Sequence, residues 1–244
     1  MLLELRDVAY RYVDGAVALE RISMTVETGD RLAILGANGS GKSTLLRILN
    51  GLIFPTSGVA LFRGQELSER ALSAPDLKHE FRRTVGFVFQ NADAQLFNAT
   101  VEEEIAFGPG QLGLSRAETH ERTHDVMRFL GIEHLSERPP FRLSGGEKRK
   151  VAIASVLSMN PEVLIFDEPF LGLDPRSQAW LVRTITQLQS AGKTTIVATH
   201  TLDTLPKIAD RALVLSEAHQ VVSAGPLSPI LADENLLRSA NLVE

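Results

Sequence analysis

One glycine-rich stretch constrains the fold of this chain more than any other feature of its sequence. It follows the apolar run 31–35, precedes the amphipathic run 45–49, and reads Gly36-Ala37-Asn38-Gly39-Ser40-Gly41-Lys42-Ser43-Thr44. That order predicts a buried strand, a glycine turn and a helix. Glycines let successive backbone N–H groups curl around an anion, and the helix N-terminus adds partial positive charge. The stretch therefore predicts a phosphate-binding loop.

Two side chains of this loop supply the chemistry of a nucleotide site. Lys42 can reach the β- and γ-phosphates of a nucleoside triphosphate, and the Ser43 hydroxyl can ligate Mg²⁺. A glycine turn that fits the pattern by coincidence is the alternative, and the flanking strand and helix disfavour it.

The composition is that of a globular protein and excludes several classes of function. The 244 residues carry a net charge of −5, which does not favour a dominant nucleic-acid-binding surface. Because the chain has no cysteine, disulfides, thiolate metal sites and cysteine catalysis are excluded. The N-terminus lacks the form of a signal peptide, and no apolar run approaches the ~20 residues that span a bilayer. We therefore expect a soluble chain whose role at a membrane would depend on a partner.

The first 30 residues predict strands of an antiparallel sheet with one solvent-exposed face. Apolar and polar side chains alternate in 3–6 and in 22–27, and Val13-Asp14-Gly15 between them is a turn signal. Tyr12 lies just before this turn. It either packs against a strand end or presents a face on which adenine stacks.

The hydrophobic pattern of the sequence differs before and after Gln90. Residues 64–83 are polar and predict irregular structure with a loop at 73–76, and residues 84–89 predict a buried strand. From 91 to 159 helical patterns dominate. We interpret this segment as a helical subdomain inserted into an α/β core that comprises 1–90 and 160–244.

Capping residues support two helices in the inserted segment. Thr100 and Ser115 are each followed three residues later by glutamate, which is the spacing of a capping box. The second box opens a helix that we expect to carry Val126, Phe129 and Leu130 on one face.

Two carboxylates follow a continuous apolar run. Residues 163–166 predict a parallel strand buried on both faces, and Asp167 and Glu168 come directly after it. The carboxyl ends of parallel strands form the edge at which such sheets bind ligands. With a phosphate-binding loop upstream, we expect Asp167 to hold Mg²⁺ and Glu168 to orient or deprotonate the attacking water.

Leu143-Ser144-Gly145-Gly146-Glu147 precedes a helix that we expect to start near Lys148. The Ser-x-x-Glu spacing is a capping box that any helix can use. Glycine, however, is unfavourable in a first helical turn. The two glycines, Gly145 and Gly146, are better explained if a phosphate of another nucleotide docks against the N–H groups of this helix start.

Three further residues lie at the ends or starts of predicted elements. Gln90 and His200 each follow a predicted strand, near the expected position of the γ-phosphate. A lone polar residue at such a place is more often a loop hydrogen-bonding residue than a catalytic group, so the case for these two depends on the other motifs. Asp174 precedes Pro175, which predicts an N-cap followed by proline at the first helical position.

Together and in this order, these segments resemble the nucleotide-binding subunit of an ABC transporter over nearly the whole chain. The resemblance is carried by the P-loop at 36–44, a Q-loop at Gln90, a signature at 143–147, a Walker B run at 163–168, a D-loop at Gly172-Leu173-Asp174 and a switch histidine at His200. It implies an α/β fold with a RecA-like P-loop NTPase core, an N-terminal antiparallel β subdomain and an inserted α-helical subdomain.

The resemblance also implies an ATPase that uses ATP and Mg²⁺. It assigns ATP binding to Tyr12 and to the loop residues Gly36, Ala37, Asn38, Gly39, Ser40, Gly41, Lys42, Ser43 and Thr44. Mg²⁺ binding is assigned to Ser43, Gln90 and Asp167. Catalysis is assigned to Glu168, His200 and Gln90. It further implies a head-to-tail dimer, in which Ser144, Gly145, Gly146 and Glu147 contact the ATP of the other subunit and Asp174 lies at the dimer contact.

A more particular resemblance concerns residues 89–109, which are similar to the energy-coupling-factor branch. Its ATPases drive uptake of cobalt, nickel or vitamins, and segments 10–15 and 145–154 agree with the cobalt and nickel members. This resemblance implies a second ATPase subunit (identical or a sister), a transmembrane coupling protein, a substrate-binding membrane protein and no nucleic acid. It implies a peripheral location on the cytoplasmic face of the cell membrane.

Several alternatives stay open at this point. The same motor could serve uptake of a vitamin such as biotin, an export system, or a non-transport ABC-type ATPase. A P-loop kinase or GTPase would not need the signature at 143–147. Phe170-Leu171 stand where many relatives have a small or hydroxyl residue, which leaves the form of the subunit contact open.

Overall fold

The structure, a computed structural model, describes residues 1–243 and contains two β-sheets with helices between and around their strands. The strands are β1 (Leu3–Arg11), β2 (Val17–Val26), β3 (Arg31–Leu35), β4 (Ser57–Phe62), β5 (Gln65–Glu66), β6 (Val85–Val88), β7 (Val163–Asp167), β8 (Thr194–Thr199), β9 (Arg211–Leu215) and β10 (Val221–Pro226). The helices are α1 (Lys42–Leu49), α2 (Pro75–Thr84), α3 (Val101–Gln111), α4 (Arg116–Leu130), α5 (Gly145–Leu157), α6 (Pro175–Ser190), α7 (Leu227–Ala232) and α8 (Glu234–Ser239). Within residues 1–243, every helix is too short or too polar to cross a membrane.

The larger sheet has six strands in the order β10-β9-β3-β8-β7-β6. All neighbouring pairs are parallel except β10 with β9. β7 and β8 are buried along their whole length, which explains why their sequences are nearly unbroken apolar or threonine runs. The carboxyl ends of β3, β6, β7 and β8 meet at one edge. That edge therefore collects the residues that follow these strands in sequence.

The smaller sheet has the order β2-β1-β4-β5 and is antiparallel. In β1, Leu3, Leu5 and Val8 are buried while the residues between them are half-buried or exposed. The alternation therefore predicted β1, β2 and their antiparallel pairing correctly, whereas β5 lies in a segment predicted to be irregular.

The stretch between β6 and β7 contains α3, α4 and α5, and among its described residues no strand. Both predicted capping boxes are present: the hydroxyls of Thr100 and Ser115 accept from the N–H groups of Glu103 and Glu118. The helix expected near Lys148 begins earlier. Its N-cap is Ser144, so Gly145 and Gly146 occupy the first turn of α5.

The predicted buried face of α4 was partly wrong. Leu130 is buried, but Phe129 is 46% exposed, and the other buried residues are Thr123 and Met127. Spacings of four and three residues place Thr123, Met127 and Leu130 on one stripe, and Phe129 falls outside it.

The prediction of irregular structure over 64–83 was also wrong, because 75–84 form α2. Pro75 is at the first helical position, where its missing N–H costs nothing, and Asp76 lies in the first turn, where an acid is favourable. Phe81 anchors the helix by an edge-on contact with Phe62, with ring centroids 5.1 Å apart. Only Phe81 and Thr84 of α2 are buried, so few apolar residues mark this helix in the sequence.

Candidate active site

A cavity of about 380 Å³ lies at the carboxyl edge of the six-stranded sheet, over the loop that joins β3 to α1. Its lining includes predicted site residues from four separate parts of the sequence: Tyr12, the loop residues Asn38, Gly39, Gly41, Lys42, Ser43 and Thr44, then Gln90 and Glu168. The fold thus brings the predicted loop together with two polar residues that follow β6 and β7.

Two glycines of the loop cannot be replaced without moving backbone. At Gly36, with φ +155°, an added Cβ would lie 2.8 Å from the carbonyl oxygen of Leu215. At Gly41, with φ +103°, it would lie 2.3 Å from that of Ala18. Both positions also favour glycine by their backbone angle. The tight turn at the start of α1 depends on them.

Lys42 is buried and folded back onto the loop. Its Nζ donates to the carbonyl oxygens of Gly36 at 2.8 Å and Ala37 at 3.0 Å, and it lies 3.2 Å from Glu168 Oε1. Its ammonium is therefore held at the centre of the loop, where a bound phosphate would meet it.

Ser43 and Asp167 form the second polar contact at this edge. Ser43 Oγ donates to Asp167 Oδ1 at 3.0 Å. Burial raises the pKa of the Asp167 carboxyl, while the Ser43 hydrogen bond opposes this rise and the charge of Glu168 adds to it. A buried carboxylate of this kind gains most from a cation placed beside it.

The same oxygens fit Mg²⁺. Oxygen ligands of Mg²⁺ lie 2.0–2.1 Å from the ion at right angles, so neighbouring ligands are about 3 Å apart. The Ser43 and Asp167 oxygens have that separation. Ser40 Oγ is also buried and lacks a hydrogen-bond partner among residues 1–243, as expected of a hydroxyl that bonds a ligand.

Glu168 has an unusual backbone conformation. Its φ of +44° lies in the left-handed region that a non-glycine residue rarely adopts, and its N–H donates to the carbonyl oxygen of Ala198 at 2.9 Å. Glu168 Oε1 lies 3.0 Å from His200 Nδ1 as well as 3.2 Å from Lys42 Nζ. The structure therefore brings three predicted site residues, Lys42, Glu168 and His200, into direct contact.

Tyr12 lies beside the loop. Its hydroxyl shares a hydrogen bond of 2.9 Å with the Thr44 hydroxyl, and its ring packs edge-on against Tyr10 with centroids 5.1 Å apart. The side chain is 40% exposed and lines the cavity, so a ring face remains available to a planar ligand.

Sequence reasoning missed two contributors to this cavity. Ala16, Val17 and Ala18 line it from the start of β2, and His219 lines it from the turn between β9 and β10. The small residues carry no motif, and His219 lies about 180 residues from the loop it faces.

The predicted signature does not reach this cavity. Residues 144–147 are absent from its lining within the described chain and lie at the N-terminus of α5. A Cβ added at Gly145 would meet no described atom within 4 Å, and one at Gly146 would meet Ser177 Oγ at 3.7 Å. Neither glycine has a positive φ. Packing within residues 1–243 therefore does not explain why these positions are glycine.

The remaining signature residues form a regular helix cap. Ser144 N–H and Oγ donate to Glu147 Oε2 at 2.8 and 2.7 Å, and these bonds hold the pKa of Glu147 below its usual range. The Glu147 N–H in turn donates to Ser144 Oγ, so the capping box fixes the first turn while using only the last of its three N–H groups.

Asp174 is the N-cap of α6, as its proline neighbour predicted. Its carboxylate accepts from the N–H groups of Arg176 and Ser177 and from the Ser177 hydroxyl at 2.6 Å, which lowers its pKa. Its predicted contact with a second subunit stays a prediction.

A second cavity, of about 570 Å³, lies between α2 and β6 on one side and α3 and α5 on the other. Its lining is largely apolar and includes Leu52, Phe89, Phe97 and Phe107. Phe97 and Phe107 pack edge-on with ring centroids 5.0 Å apart, yet they are 67% and 43% exposed. Aromatic pairs this exposed are typical of contact surfaces.

Comparison with known proteins gives a consistent result. The family described as ABC transporter matches residues 19–171. The energy-coupling factor transporter ATP-binding protein EcfA of Methanococcus maripaludis is 41% identical over 99% of this chain and 85% of its own length. The nickel import ATP-binding protein LarO of Lactiplantibacillus plantarum is 43% identical over 90% of this chain and 91% of its own. The structure of cbiO1 from Clostridium perfringens, part of the ABC transporter complex cbiONQ, superposes with a TM-score of 0.82 at 37% identity, covering 99% and 94% of the two chains.

Proposed function

Because this chain belongs to the ATP-binding subunits of ABC transporters, in the energy-coupling-factor branch, and is therefore an ATPase, we propose that it powers import of a micronutrient. Cobalt or nickel ions are the cargo we propose. A relative that is 43% identical is named for nickel import, and this supports a metal cargo over a vitamin.

In the proposed chemistry, ATP lies in the cavity over the loop. Tyr12 stacks on adenine, and residues Gly36 to Thr44 surround the phosphates with their N–H groups. Lys42 exchanges its contact with Glu168 for the β- and γ-phosphates. Ser43 and Asp167, with Gln90, would hold Mg²⁺, which neutralises charge on the phosphates when bound.

Release of Lys42 leaves Glu168 available for the attacking water. Its carboxylate is held by the strained backbone of residue 168 and by His200. We propose that Glu168 orients the water or accepts its proton, that His200 keeps Glu168 in place, and that Gln90 senses the occupied site.

The observation that carries the proposal is the pair of unexplained glycines at 145 and 146. Within the described chain the N–H groups of Gly145 and Gly146 have no hydrogen-bond partner, and the absent side chains leave room for close approach of an anion. We propose that they bind the ATP held by the loop of a second subunit, either an identical chain or a sister ATPase. ATP then contacts both subunits only in the closed dimer, so its binding favours closure.

Two further features belong to the proposed dimer contact. Asp174 sits at the exposed start of α6, and Leu171 is 47% exposed immediately after the buried Phe170. An exposed leucine at this place adds apolar area to a contact with a second subunit.

The apolar cavity between α2 and α3 is the proposed contact for a transmembrane coupling protein. We retain the division of the chain into a core of 1–90 and 160–244 and a helical subdomain of 91–159, with this cavity near their junction. The chain would then act peripherally at the cytoplasmic face of the cell membrane, beside a substrate-binding membrane protein and without nucleic acid.

Purification of the chain with its membrane partners tests this proposal. The cargo is identified by the ligand that the substrate-binding partner retains. Bound cobalt or nickel supports the proposal, and a bound vitamin such as biotin replaces the cargo while leaving the motor intact. Failure to form any membrane complex, with ATP hydrolysis preserved, would favour a non-transport ATPase of the same family.

A further inference from the structure

A cluster of metal-ligating side chains lies outside the nucleotide cavity. Glu102 is in the first turn of α3, and His120 and His124 are one turn apart on α4. One carboxylate oxygen and one nitrogen of each imidazole lie within 4.8 Å of one another. Two histidines at this spacing point from one face of a helix, the arrangement used by helical zinc sites.

One of the distances between ligand atoms is already close to that found around a bound ion. Ligands held 2.0–2.1 Å from a tetrahedral metal are about 3.3 Å apart. Glu102 Oε1 lies 3.5 Å from His124 Nε2. The rings of His120 and His124 are 4.2 Å apart at their centroids. His120 is exposed, so rotation about its side-chain bonds can bring its nitrogen to the same point.

A neighbouring residue fixes the carboxylate. Ser136 Oγ donates to Glu102 Oε2 at 2.6 Å, and the Glu102 N–H donates to the Ser136 carbonyl oxygen at 3.1 Å. This leaves Oε1 directed at His124. Metal-ligating carboxylates are commonly held by such outer hydrogen bonds.

We propose that Glu102, His120 and His124 form a site for a divalent first-row transition-metal ion. Two imidazoles and one carboxylate suit Ni²⁺, Co²⁺, Zn²⁺ or Cu²⁺, whereas Mg²⁺ and Ca²⁺ prefer oxygen ligands alone. Three protein ligands leave further positions on the ion to water.

The ion joins the first turn of α3 to α4. Because these ligands meet only in the folded chain, the ion stabilises the fold. The site does not depend on the proposed cargo, since its ligands all belong to this chain and no membrane partner is needed to form it.

Titration of the purified full-length chain tests the site, without an affinity tag and without nucleotide, above the ordinary pKa of histidine. Calorimetry should detect one ion per chain for Ni²⁺ and for Co²⁺, with Ni²⁺ bound more tightly and Mn²⁺ more weakly than Co²⁺. Bound Co²⁺ should show visible d–d absorption. Mg²⁺ should not displace it.

Matched variants locate the binding. His120→Ala combined with His124→Ala should abolish it, and Ser136→Ala should weaken it by about 10- to 100-fold. The control is His79→Ala, which removes an exposed histidine of α2 and should leave binding unchanged. All variants are required to bind ATP like the parent, which shows that they fold. Equal Co²⁺ affinity in the double variant and the parent, or no binding by the parent, would overturn the site.

Discussion

The ammonium of Lys42 lies 3.2 Å from Glu168 Oε1, and both side chains are almost fully buried, at 6% and 7% exposed. The loop lysine and the carboxylate proposed to act on water are thus each other's partner. A buried charge is costly to leave unpaired, so neither is free until another charge replaces its partner. In the proposed function the γ-phosphate of ATP would replace Glu168 as the partner of Lys42, and nucleotide binding would thereby release Glu168.

Replacing Glu168 with glutamine should leave ATP binding intact while slowing hydrolysis by at least about 10²-fold, the low end for loss of a general base. Glutamine has the same shape and still reaches His200, but it cannot accept a proton from water. Steady-state phosphate release and equilibrium nucleotide binding measure the two effects separately. Near-normal turnover would show that another group activates the water.

Lys42→Ala should weaken ATP binding itself, by about 10- to 100-fold, since a hydrogen bond from a charged donor contributes about 1.5–3 kcal/mol. Calorimetric titration with ATP measures the change. Lys78→Ala, which removes an exposed lysine of α2, is the control and should bind ATP like the parent. Unchanged affinity of Lys42→Ala would remove Lys42 from the phosphate site.

Tyr12 offers a paired substitution that separates its ring from its hydroxyl. Tyr12→Phe loses the hydrogen bond with Thr44 but keeps the ring, and it should bind ATP nearly as well as the parent. Tyr12→Ala should bind about 5- to 100-fold more weakly, because stacking on a base contributes about 1–3 kcal/mol. Unchanged affinity of Tyr12→Ala for both ATP and GTP would contradict the proposed stacking role of Tyr12.

Asp167→Asn should raise the stability of the nucleotide-free chain while abolishing Mg²⁺-dependent hydrolysis. Burial raises the pKa of Asp167 in the folded chain, so folding favours the protonated carboxyl. The stability that the Asp167 carboxyl gives the folded chain is therefore present in full below the pKa of about 3.9 that this group has in the unfolded chain. That stability is lost as the pH rises through the pKa that Asp167 has in the folded chain. The amide of asparagine is uncharged at every pH, so the variant does not lose this stability as the pH rises.

The difference in melting temperature between Asp167→Asn and the parent should consequently be near zero in acid and favour the variant at neutral pH. We expect about 2–4 °C there, the shift given by about 1 kcal/mol in a chain of this size. A lower melting temperature for the variant at neutral pH would mean that the Asp167 charge stabilises the fold.

Much of the fold could be predicted because its signals are local. The run 163–166, the glycines at 36 and 41 and the capping residues Thr100 and Ser115 each specify their own neighbourhood. α2 was missed since it buries little, and Phe129 was misplaced because two faces of α4 carry apolar residues. These are questions of tertiary packing, which a local pattern does not contain.

The residues of the candidate site were likewise predictable where their sequence signal is local, and unpredictable where their position depends on tertiary packing. The loop and the Asp167-Glu168 pair follow strand ends, and parallel strands bring such ends together. The contact of Glu168 with both Lys42 and His200 could not be foreseen, because it depends on the left-handed backbone at Glu168. The cavity contribution of His219 depends on packing between distant segments, and the position of Glu102 beside two histidines depends on how α3 packs against α4.

Gly145 and Gly146 are proposed to complete the ATP site of a second subunit. Gly145→Asp is a suitable test, since an added Cβ meets no described atom within 4 Å and an acid is favourable in a first helical turn. The same acid would repel a phosphate docked there.

The decisive measurement is the mass in solution, with and without ATP, of Glu168→Gln and of the double variant Glu168→Gln with Gly145→Asp. We predict that Glu168→Gln becomes a dimer only when ATP is added, and that the double variant binds ATP but stays a monomer. A double variant that dimerises with ATP as readily as Glu168→Gln would contradict this prediction.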